Sequence, residues 1–442
     1  MNGRLDWIVS PASAPLRGRV AVPGDKSVSH RAIMLAAIAE GRSRITGFLE
    51  AADTLATARI FRQIGVRIEN TGQGEWVVHG GGMRGLQSPG AALDCGNSGT
   101  AMRLLAGLLA GQGFDSVLAG DASLSRRPMR RVAEPLAAMG AMIDSAAGGV
   151  PPLRIRGGAS LHGIEYRPPV ASAQVKSAIL LAGLYAAGET RVLESHPTRD
   201  YTERMLAAFG CPVEFAPGSA RLTGGHTLHA VDLLVPADFS SAAFFMVAGT
   251  VVRGSELRLH GVGVNPRRTG LLQALRRMGA DIAEENPRES GGERIADLVV
   301  RHAPLRGIAV PAAIVPDMID EFPILFAAAA VAEGTTVIRG AQELRVKESD
   351  RIAVMAAGLR ALGARVEETP DGAVIEGGSL HGGEVDARGD HRCAMAFAVA
   401  GACAGGEVLI RDCANVETSF PRFPEVAAAC GMAVNQRRGR SG

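Results

Sequence analysis

The 442-residue chain is poor in aromatic side chains and has almost no net charge. It contains 13 Phe, 3 Tyr and 2 Trp, and its 47 Lys and Arg are nearly balanced by 45 Asp and Glu. Proteins that bind single-stranded nucleic acid present aromatic side chains on a basic surface, so we expect neither a nucleic-acid partner nor attraction to an anionic membrane. Any anion-binding site must therefore be a local cluster of cations.

Cysteine pairs and long apolar runs are also missing. The six cysteines form no CxxC pair, and Arg4 and Asp6 interrupt the N-terminal segment. We therefore expect no secretory leader, a cytoplasmic location and buried reduced thiols. The apolar run at residues 322–332 ends at Glu333, short of the roughly 18 to 20 residues that a membrane span needs.

Signatures of several enzyme classes are absent as well. The chain has no GxxxxGK[ST] loop, no HExxH pair and no GxSxG elbow, and its ten His lack metal-ligand spacing. A GxGxxG pattern at Gly80, Gly82 and Gly85 runs into Gln87 and Pro89 rather than a helix, so it is not a dinucleotide fingerprint. We expect no metal, no cofactor and no covalent nucleophile.

What the chain does contain is a sixfold repeat. A helical segment, a glycine and a β-branched strand recur as IFRQIGVRIE, PLAAMGAMID, MLAAFGCPVE, ALRRMGADIA, GLRALGARVE and VAAACGMAVN, with glycines at Gly65, Gly140, Gly210, Gly279, Gly363 and Gly431. Since one hydrophobic core rarely grows beyond about 250 to 300 residues, the repeats are expected to form two domains.

A second element alternates with the first. Ala-rich helices, apolar on nearly all faces, recur in segments such as SVSHRAIMLAAIAEG, SGTAMRLLAGLLAG and IDEFPILFAAAAVAEG. Helices of this kind are buried, and we expect the glycine that follows each one to form a left-handed C-cap. A repeat scaffold without catalytic function is one interpretation of this regularity.

The starts of these six predicted buried helices argue against a mere scaffold, because they concentrate polar residues. The residues are Lys26, Ser27 and Arg31; Asn97, Ser98, Thr100 and Arg103; Ser172, Gln174 and Lys176; Asp238, Ser240 and Ser241; Asp317, Asp320 and Glu321; and Asp390, His391 and Arg392. Ser, Thr and Asp are ordinary N-caps, but Lys and Arg oppose the helix dipole unless an anion lies there. The pattern therefore predicts anion binding at helix N-termini.

A further charged group precedes the companion helix that ends near Leu362. Lys347, Glu348 and Arg351 are spaced i, i+1 and i+4. We expect these residues to lie at the start of that helix, so that Lys347 and Arg351 can share one of its faces.

Seven motifs in register carry a family resemblance. PGDKSVSHR, GNSGTAMR, SRRP, SAQVKSA, DEFPIL, RVKESDR and DHRCAMAF follow one another over residues 23–397. In the sequence and order of these motifs, the chain resembles the 5-enolpyruvylshikimate-3-phosphate synthases of the enolpyruvyl transferase family. Motifs of this number and order are highly specific.

The resemblance implies an α/β fold of two similar domains, each built from three repeated βαβαββ-type units in an inside-out α/β barrel. Residues 1–22 and 236–442 would form one discontinuous domain, and residues 23–235 the other. The N-termini of the buried helices would face an interdomain cleft. We expect this protein to be a cytoplasmic monomer.

The resemblance also implies the reaction. Members transfer the enolpyruvyl group of phosphoenolpyruvate to the 5-hydroxyl of shikimate 3-phosphate through a tetrahedral intermediate, without cofactor or metal. Shikimate 3-phosphate would bind Lys26, Ser27, Arg31, Ser172, Ala173, Gln174, Asp320 and Lys347. Phosphoenolpyruvate would bind Lys26, Gly99, Arg127, Gln174, Arg351 and Arg392. The catalytic residues would be Asp320, Glu348 and Lys26, with Asp320 accepting the 5-hydroxyl proton and Glu348 transferring protons at the methylene carbon.

One departure from many relatives is Thr418, which stands where they have a Lys before TFP, so that one phosphate contact is missing or supplied elsewhere. Arg199 could compensate by contacting the phosphate of shikimate 3-phosphate. The alternative substrate is UDP-N-acetylglucosamine, used by a sibling transferase that carries a reactive Cys in a mobile loop. Residues 111–131 contain no Cys, and Cys95 is expected to be a buried structural thiol.

Overall fold

The structure, a computed structural model, describes residues 5–438; the ends of the predicted discontinuous domain, residues 1–4 and 439–442, lie outside the described residues. Its α-helices are α1 (Lys26–Ile38), α2 (Ala52–Gln63), α3 (Gly99–Ala110), α4 (Arg130–Ala138), α5 (Ala173–Gly183), α6 (Tyr201–Ala208), α7 (Phe239–Val251), α8 (Gly270–Arg277), α9 (Phe322–Ala330), α10 (Arg351–Ala361), α11 (His391–Ala402) and α12 (Phe423–Ala429). Among residues 5–438, no helix has the length and apolar character that crossing a membrane requires.

The strands are short. They are β1 (Leu5–Val9), β2 (Arg17–Val20), β3 (Glu40–Thr46), β4 (Arg67–Gly72), β5 (Glu75–Gly81), β6 (Leu93–Asp94), β7 (Ser116–Ala119), β8 (Met142–Ala146), β9 (Val150–Arg156), β10 (Glu165–Tyr166), β11 (Glu189–Leu193), β12 (Glu214–Ala216), β13 (Ser219–Thr223), β14 (Leu233–Leu234), β15 (Glu256–Gly263), β16 (Asp281–Ser290), β17 (Glu293–Arg301), β18 (Thr335–Ile338), β19 (Arg365–Thr369), β20 (Gly372–Glu376), β21 (Gly383–Asp386), β22 (Val408–Arg411) and β23 (Val434–Arg438).

Two compact units share the chain. Unit 1 comprises the chain up to Pro23, Ala237–Arg288 and the chain from Arg294 onward, and unit 2 comprises Gly24–Pro236 with Glu289–Glu293. Each unit has its own large cluster of buried apolar side chains. Each can therefore be described as a separately packed body.

Unit 2 contains three sheets with one plan. Their strand orders are β14-β3-β5-β4, β6-β7-β9-β8 and β10-β11-β13-β12. In each, the first pair is parallel and the other two pairs are antiparallel. The strand that follows a buried helix always takes the second place in the sheet, so the sequence repeat is also a structural repeat.

Unit 1 holds the other three sheets, with orders β16-β17-β15-β2, β18-β20-β19 and β21-β22-β1-β23. The three-stranded sheet gains isolated parallel bridges from Arg306 to Glu333 and from Ala309 to Val337. In the third sheet the first strand of the chain, β1, lies antiparallel between β22 and β23. The protein is therefore a mixed α/β structure with six small sheets among its described residues.

The Ala-rich helices are buried, as their sequences predict. In α7 every residue from Phe239 to Thr250 is buried, and α1, α3, α5, α9 and α11 are buried over most of their length. A Cβ on Gly107 of α3 would lie 2.1 Å from the carbonyl oxygen of Ala178 in α5. The small residues thus allow the backbones of buried helices to touch.

The expected left-handed caps lie elsewhere than predicted. The residues that end the buried helices are Ala39, Gly111, Leu184, Val252, Val331 and Cys403, and none of them has a positive φ. In the companion helices α2, α4, α6, α8, α10 and α12, the residue after the C-cap is instead a repeat glycine, and the φ values of these six glycines run from +87° to +100°. In α2, for example, Gly65 N–H donates to the Arg62 carbonyl and Val66 N–H to the Phe61 carbonyl, which is the Schellman motif.

Candidate functional site

In unit 2, the start of α1 carries a strongly cationic group. Asp25 caps the helix by accepting from Val28 N–H at 2.9 Å, and Lys26 is the first helical residue, with its Nζ 2.5 Å from Oδ2 of buried Asp53. Burial, Lys26 and Arg31 together lower the pKa of His30 well below its ordinary value, so this imidazole stays neutral. The carboxylate of Asp53 offsets the cost of a cation at a helix N-terminus.

Arg31 lies one turn further along α1 and is buried. Its Nε donates to Oγ1 of Thr202 at 2.7 Å, its Nη2 to Oγ of Ser177 at 2.8 Å, and its Nη1 to the Ser27 carbonyl at 2.9 Å. Burial lowers the pKa of Arg31 to about 10, against the opposing effect of nearby Glu203. The structure thus fixes Arg31 next to Ser27, as the motif implied.

The start of α3 brings a second set of predicted ligands together. Ser98 caps the helix, and Nη2 of Arg127 donates to Oδ1 of Asn97 at 2.8 Å. A Cβ on Gly99 would lie 3.0 Å from Nη1 of Arg103 and 3.4 Å from Nη1 of Arg127. Two guanidinium groups therefore lie against the helix N-terminus at Gly99, where backbone and side-chain donors can bind one anion.

Gln174 joins this group from the start of α5. Its Oε1 accepts from Nη1 of Arg103 at 2.7 Å, and its Nε2 donates to Oγ1 of Thr100 at 2.9 Å. Ser172 is the N-cap residue, and Ala173 is the first residue of the helix. A methyl side chain leaves Ala173 only its backbone for hydrogen bonding.

Lys176 does not fit the anion-site prediction for the helix starts. It is buried in α5, and its Nζ lies 2.8 Å from Oε2 of Glu194 and 2.9 Å from Oε1 of Glu203. These carboxylates already neutralise its charge. The helix-start pattern could not show this, because Glu194 and Glu203 lie outside the segment that contains Lys176.

In unit 1, Arg351 is the centre of a buried ionic cluster. Its Nε donates to Oδ2 of Asp390 at 2.8 Å, its Nη2 to Oε2 of Glu348 at 2.7 Å, and its Nη1 to Oδ1 of Asp320 at 3.4 Å. Burial disfavours the charged form, but the three carboxylates outweigh burial and raise the pKa of Arg351. Both predicted catalytic carboxylates thus contact the same arginine.

Two further arginines surround the same carboxylates. Nη1 of Arg392 donates to the backbone carbonyl of Asp320 at 3.3 Å and lies 3.8 Å from Glu321. Arg268, which is buried, donates to Oγ of Ser240 at 2.5 Å and lies 3.9 Å from the second carboxylate oxygen of Asp320. Sequence reasoning missed Arg268, because it belongs to no predicted helix start and is close to Asp320 only in the folded chain.

The prediction that Lys347 and Arg351 share a helix face is wrong. The helix α10 begins at Arg351, capped by Asp350, which accepts from Ala353 N–H at 3.0 Å. Lys347 instead follows a 3-10 turn, and its Nζ bonds to Oε1 of Glu343 at 3.0 Å. Since Asp is a strong N-cap, it starts the helix later than the charge spacing suggested.

Three further observations bear on the expectations drawn from the sequence. Oγ1 of Thr418 donates to the Asn415 carbonyl within its own 3-10 turn, at 2.7 Å. Burial raises the pKa of the Cys95 thiol, which is the opposite of what a reactive thiolate needs. Within residues 5–438, no cluster of three or more His, Cys, Asp or Glu is arranged to hold a metal ion.

Comparison with known proteins identifies the relatives of this chain. Residues 11–427 match the family model described as EPSP synthase (3-phosphoshikimate 1-carboxyvinyltransferase). The 3-phosphoshikimate 1-carboxyvinyltransferase of Xanthomonas axonopodis pv. citri is 64% identical over 96% of this chain and 97% of its own length. That of Xanthomonas campestris pv. campestris strain B100 is 62% identical over 99% of both chains.

Solved structures agree in fold. EPSP synthase from Acinetobacter baumannii is 51% identical and superposes with a TM-score of 0.91, covering 98% of this chain and 100% of that one. The enolpyruvyl transferase NikO from Streptomyces tendae is only 19% identical, yet its TM-score is 0.80 over 99% of this chain and 100% of its own. At that identity the second likeness concerns the fold alone.

Proposed function

This chain belongs to the EPSP synthase family, and we propose that it transfers the enolpyruvyl group of phosphoenolpyruvate to the 5-hydroxyl of shikimate 3-phosphate with release of phosphate. The similarity to 3-phosphoshikimate 1-carboxyvinyltransferases over nearly the whole chain carries this proposal. The protein is thus an enzyme of aromatic amino acid biosynthesis.

The reaction has two stages that balance in protons. In the addition, the 5-hydroxyl oxygen bonds to C2 of phosphoenolpyruvate, the hydroxyl loses its proton and C3 gains one. In the elimination, C3 loses a proton, the C2–C3 double bond re-forms and the C2–O bond to phosphate breaks. The protein must therefore supply a base for the hydroxyl, an acid and base for C3, and cations for the phosphates.

Asp320 is assigned as the base for the 5-hydroxyl, and Glu348 as the group that exchanges protons with C3, with Lys26 assisting. Arg351 contacts both carboxylates, which supports their grouping in one site. A neighbouring guanidinium favours the ionised form that Asp320 needs as a base, whereas Glu348 must first take up a proton before it can donate one to C3.

The remaining assignments concern substrate binding. Shikimate 3-phosphate is assigned to Lys26, Ser27, Arg31, Ser172, Ala173, Gln174, Asp320 and Lys347. Phosphoenolpyruvate is assigned to Lys26, Gly99, Arg127, Gln174, Arg351 and Arg392. Support comes from the start of α3, where Arg127 lies against Gly99 and bonds to Asn97, and where Gln174 accepts from Arg103. In unit 1 it comes from the hydrogen bonds of Arg351 and Arg392 to Asp320.

The finer architectural expectations are part of the proposal. We infer that units 1 and 2 are the two domains of the family, divided near residues 22/23 and 235/236. The inside-out arrangement of three repeats per domain, with helix starts facing a cleft, and a monomeric cytoplasmic enzyme remain predictions. Small-angle scattering with and without shikimate 3-phosphate tests both the mass and compaction on binding.

Phosphate release from purified protein tests the function. Phosphoenolpyruvate is supplied with shikimate 3-phosphate or with UDP-N-acetylglucosamine, each with and without EDTA. Release with the shikimate ester alone, unaffected by EDTA, is expected. Release with the sugar nucleotide alone would show that the proposed substrate is wrong although the reaction class is right. Release with neither would overturn the proposal.

A further inference from the structure

The buried cluster of Lys176, Glu194 and Glu203 in unit 2 has no part in the assignments above. The side chains of the three residues are 4%, 0% and 2% exposed. Burying three charges is costly, and such a cluster adds little to stability compared with apolar packing. We therefore expect the cluster to serve by holding neighbouring parts of the chain in place rather than by adding stability.

The cluster fixes both ends of one segment. Glu194 directly follows β11, and Glu203 lies in the first turn of α6, so Lys176 ties together the two ends of the connection between them. The middle is fixed as well, because Glu194 accepts from N–H and Oγ1 of Thr198 at 3.2 and 2.5 Å. The Thr198 carbonyl in turn accepts from Lys176 at 3.5 Å. We call residues 195–202 the clamped segment.

The clamped segment supports Arg31, one of the residues assigned to shikimate 3-phosphate. Thr202 accepts from Nε of Arg31 and donates to Oγ of Ser177, both at 2.7 Å. Tyr201 donates to Oδ2 of Asp25, the N-cap of α1, at 3.0 Å. The position of Arg31 therefore depends on where this segment lies.

The same segment brings a second cation towards Arg31. Arg199 is near enough to contribute to lowering the pKa of Arg31, although burial is the largest cause. Glu203 acts in the opposite direction on Arg31. In geometry, Arg199 directly follows Thr198, which Glu194 holds, and Arg31 bonds to Thr202 three residues further on. One segment thus carries Arg199 and supports Arg31, and arginines grouped in this way suit an anionic substrate.

We propose that Lys176 is a positioning residue for shikimate 3-phosphate, acting through the clamped segment to set the places of Arg31 and Arg199. This inference rests on the proposed function, since Arg31 is one of the residues assigned to that substrate. Lys176 itself touches no substrate.

The test is a set of steady-state measurements on Lys176→Met. The Michaelis constant for shikimate 3-phosphate should rise by about tenfold or more, as expected when roughly 1.4 kcal/mol of binding is lost, while that for phosphoenolpyruvate changes much less. Leu180→Ala is the matched control, because Leu180 is fully buried on the same helix and takes no part in the hydrogen bonds and ion pairs that hold the clamped segment. If Leu180→Ala raises the same constant equally, the effect is merely structural and the proposal is wrong.

A double-mutant cycle sharpens the test. If Lys176 acts through Arg199, then Arg199→Ala should have a much smaller effect in the Lys176→Met background than in the wild type. Fully additive effects would overturn the proposal. If Lys176→Met does not fold, Glu194→Gln replaces it, since the amide keeps the shape but weakens one side of the clamp. Wild-type protein inactive with shikimate 3-phosphate would instead refute the proposed function.

Discussion

Replacing Arg351 by Met should destabilise the protein in a way that depends on pH. The guanidinium, which is 1% exposed, is the shared partner of Asp320, Glu348 and Asp390. Removing one partner of a buried ion pair costs about 3–5 kcal/mol, a large part of a typical total stability of about 5–15 kcal/mol. We expect a loss of this size at neutral pH.

The pH dependence follows from the carboxylates left behind. In the wild type, burial raises the pKa of Asp390, but Arg351, by its charge and its hydrogen bond, together with His391 outweighs burial, so the pKa is lowered. Its contribution to stability is therefore present above the unfolded pKa of about 4 and is lost as pH falls through the lower folded value. In Arg351→Met, burial loses its main opponent and raises the carboxylate pKa, so protonation relieves the variant already between neutral pH and about pH 5.

The assay is urea unfolding of wild type and variant at neutral pH and near pH 5. The stability difference should shrink at the lower pH by about 1 kcal/mol or more, since one pKa unit corresponds to about 1.4 kcal/mol. Arg360→Met, on the exposed side of the same helix, should show a small and constant difference. An Arg351→Met difference that does not change with pH would refute the reasoning.

Three further predictions follow from the site and the fold. Asp320→Asn should lower turnover by about 10²- to 10⁴-fold while shikimate 3-phosphate still binds in calorimetry; loss of binding would contradict its assignment as base. Gly431→Ala should cost about 1–2 kcal/mol in unfolding experiments, because φ is +100° there, whereas Gly378→Ala, with open space and no positive φ, should be nearly neutral; equal losses would refute the strain argument. All six thiols should react slowly with Ellman's reagent until the protein unfolds, because burial raises every cysteine pKa, that of Cys403 to about 12; one fast native thiol would be inconsistent with this.

Much of the fold could be predicted from the sequence, because each repeat is recognisable from residues close together in the chain. The burial of the Ala-rich helices follows from their lack of a polar face, and the repeat glycines mark real helix ends. The error over which helices carry left-handed caps has a physical cause. After a buried helix the chain turns before its glycine is reached, as at Gly188, which lies beyond the end of α5 at Gly183.

Residues of the candidate site could be predicted only where a short sequence motif marks them. Asp320, Glu348, Arg351 and Arg392 were singled out by motif, and the structure groups them. Arg268 and the partners of Lys176 could not be found, because their contacts join segments far apart in the sequence. The later start of α10 at Arg351 did have a local signal in Asp350, whose side chain is a common N-cap.

The placement of β1 between β22 and β23 has a consequence for the order in which the chain can fold during synthesis. The first strand made must wait for the last two before its sheet exists, whereas nearly all of unit 2 has been made once Pro236 has left the ribosome. Contacts between distant segments form slowly, and domains generally fold as units in the order of their synthesis. We therefore expect unit 2 to fold on the nascent chain, while β1 remains unpaired until β22 and β23 have been made.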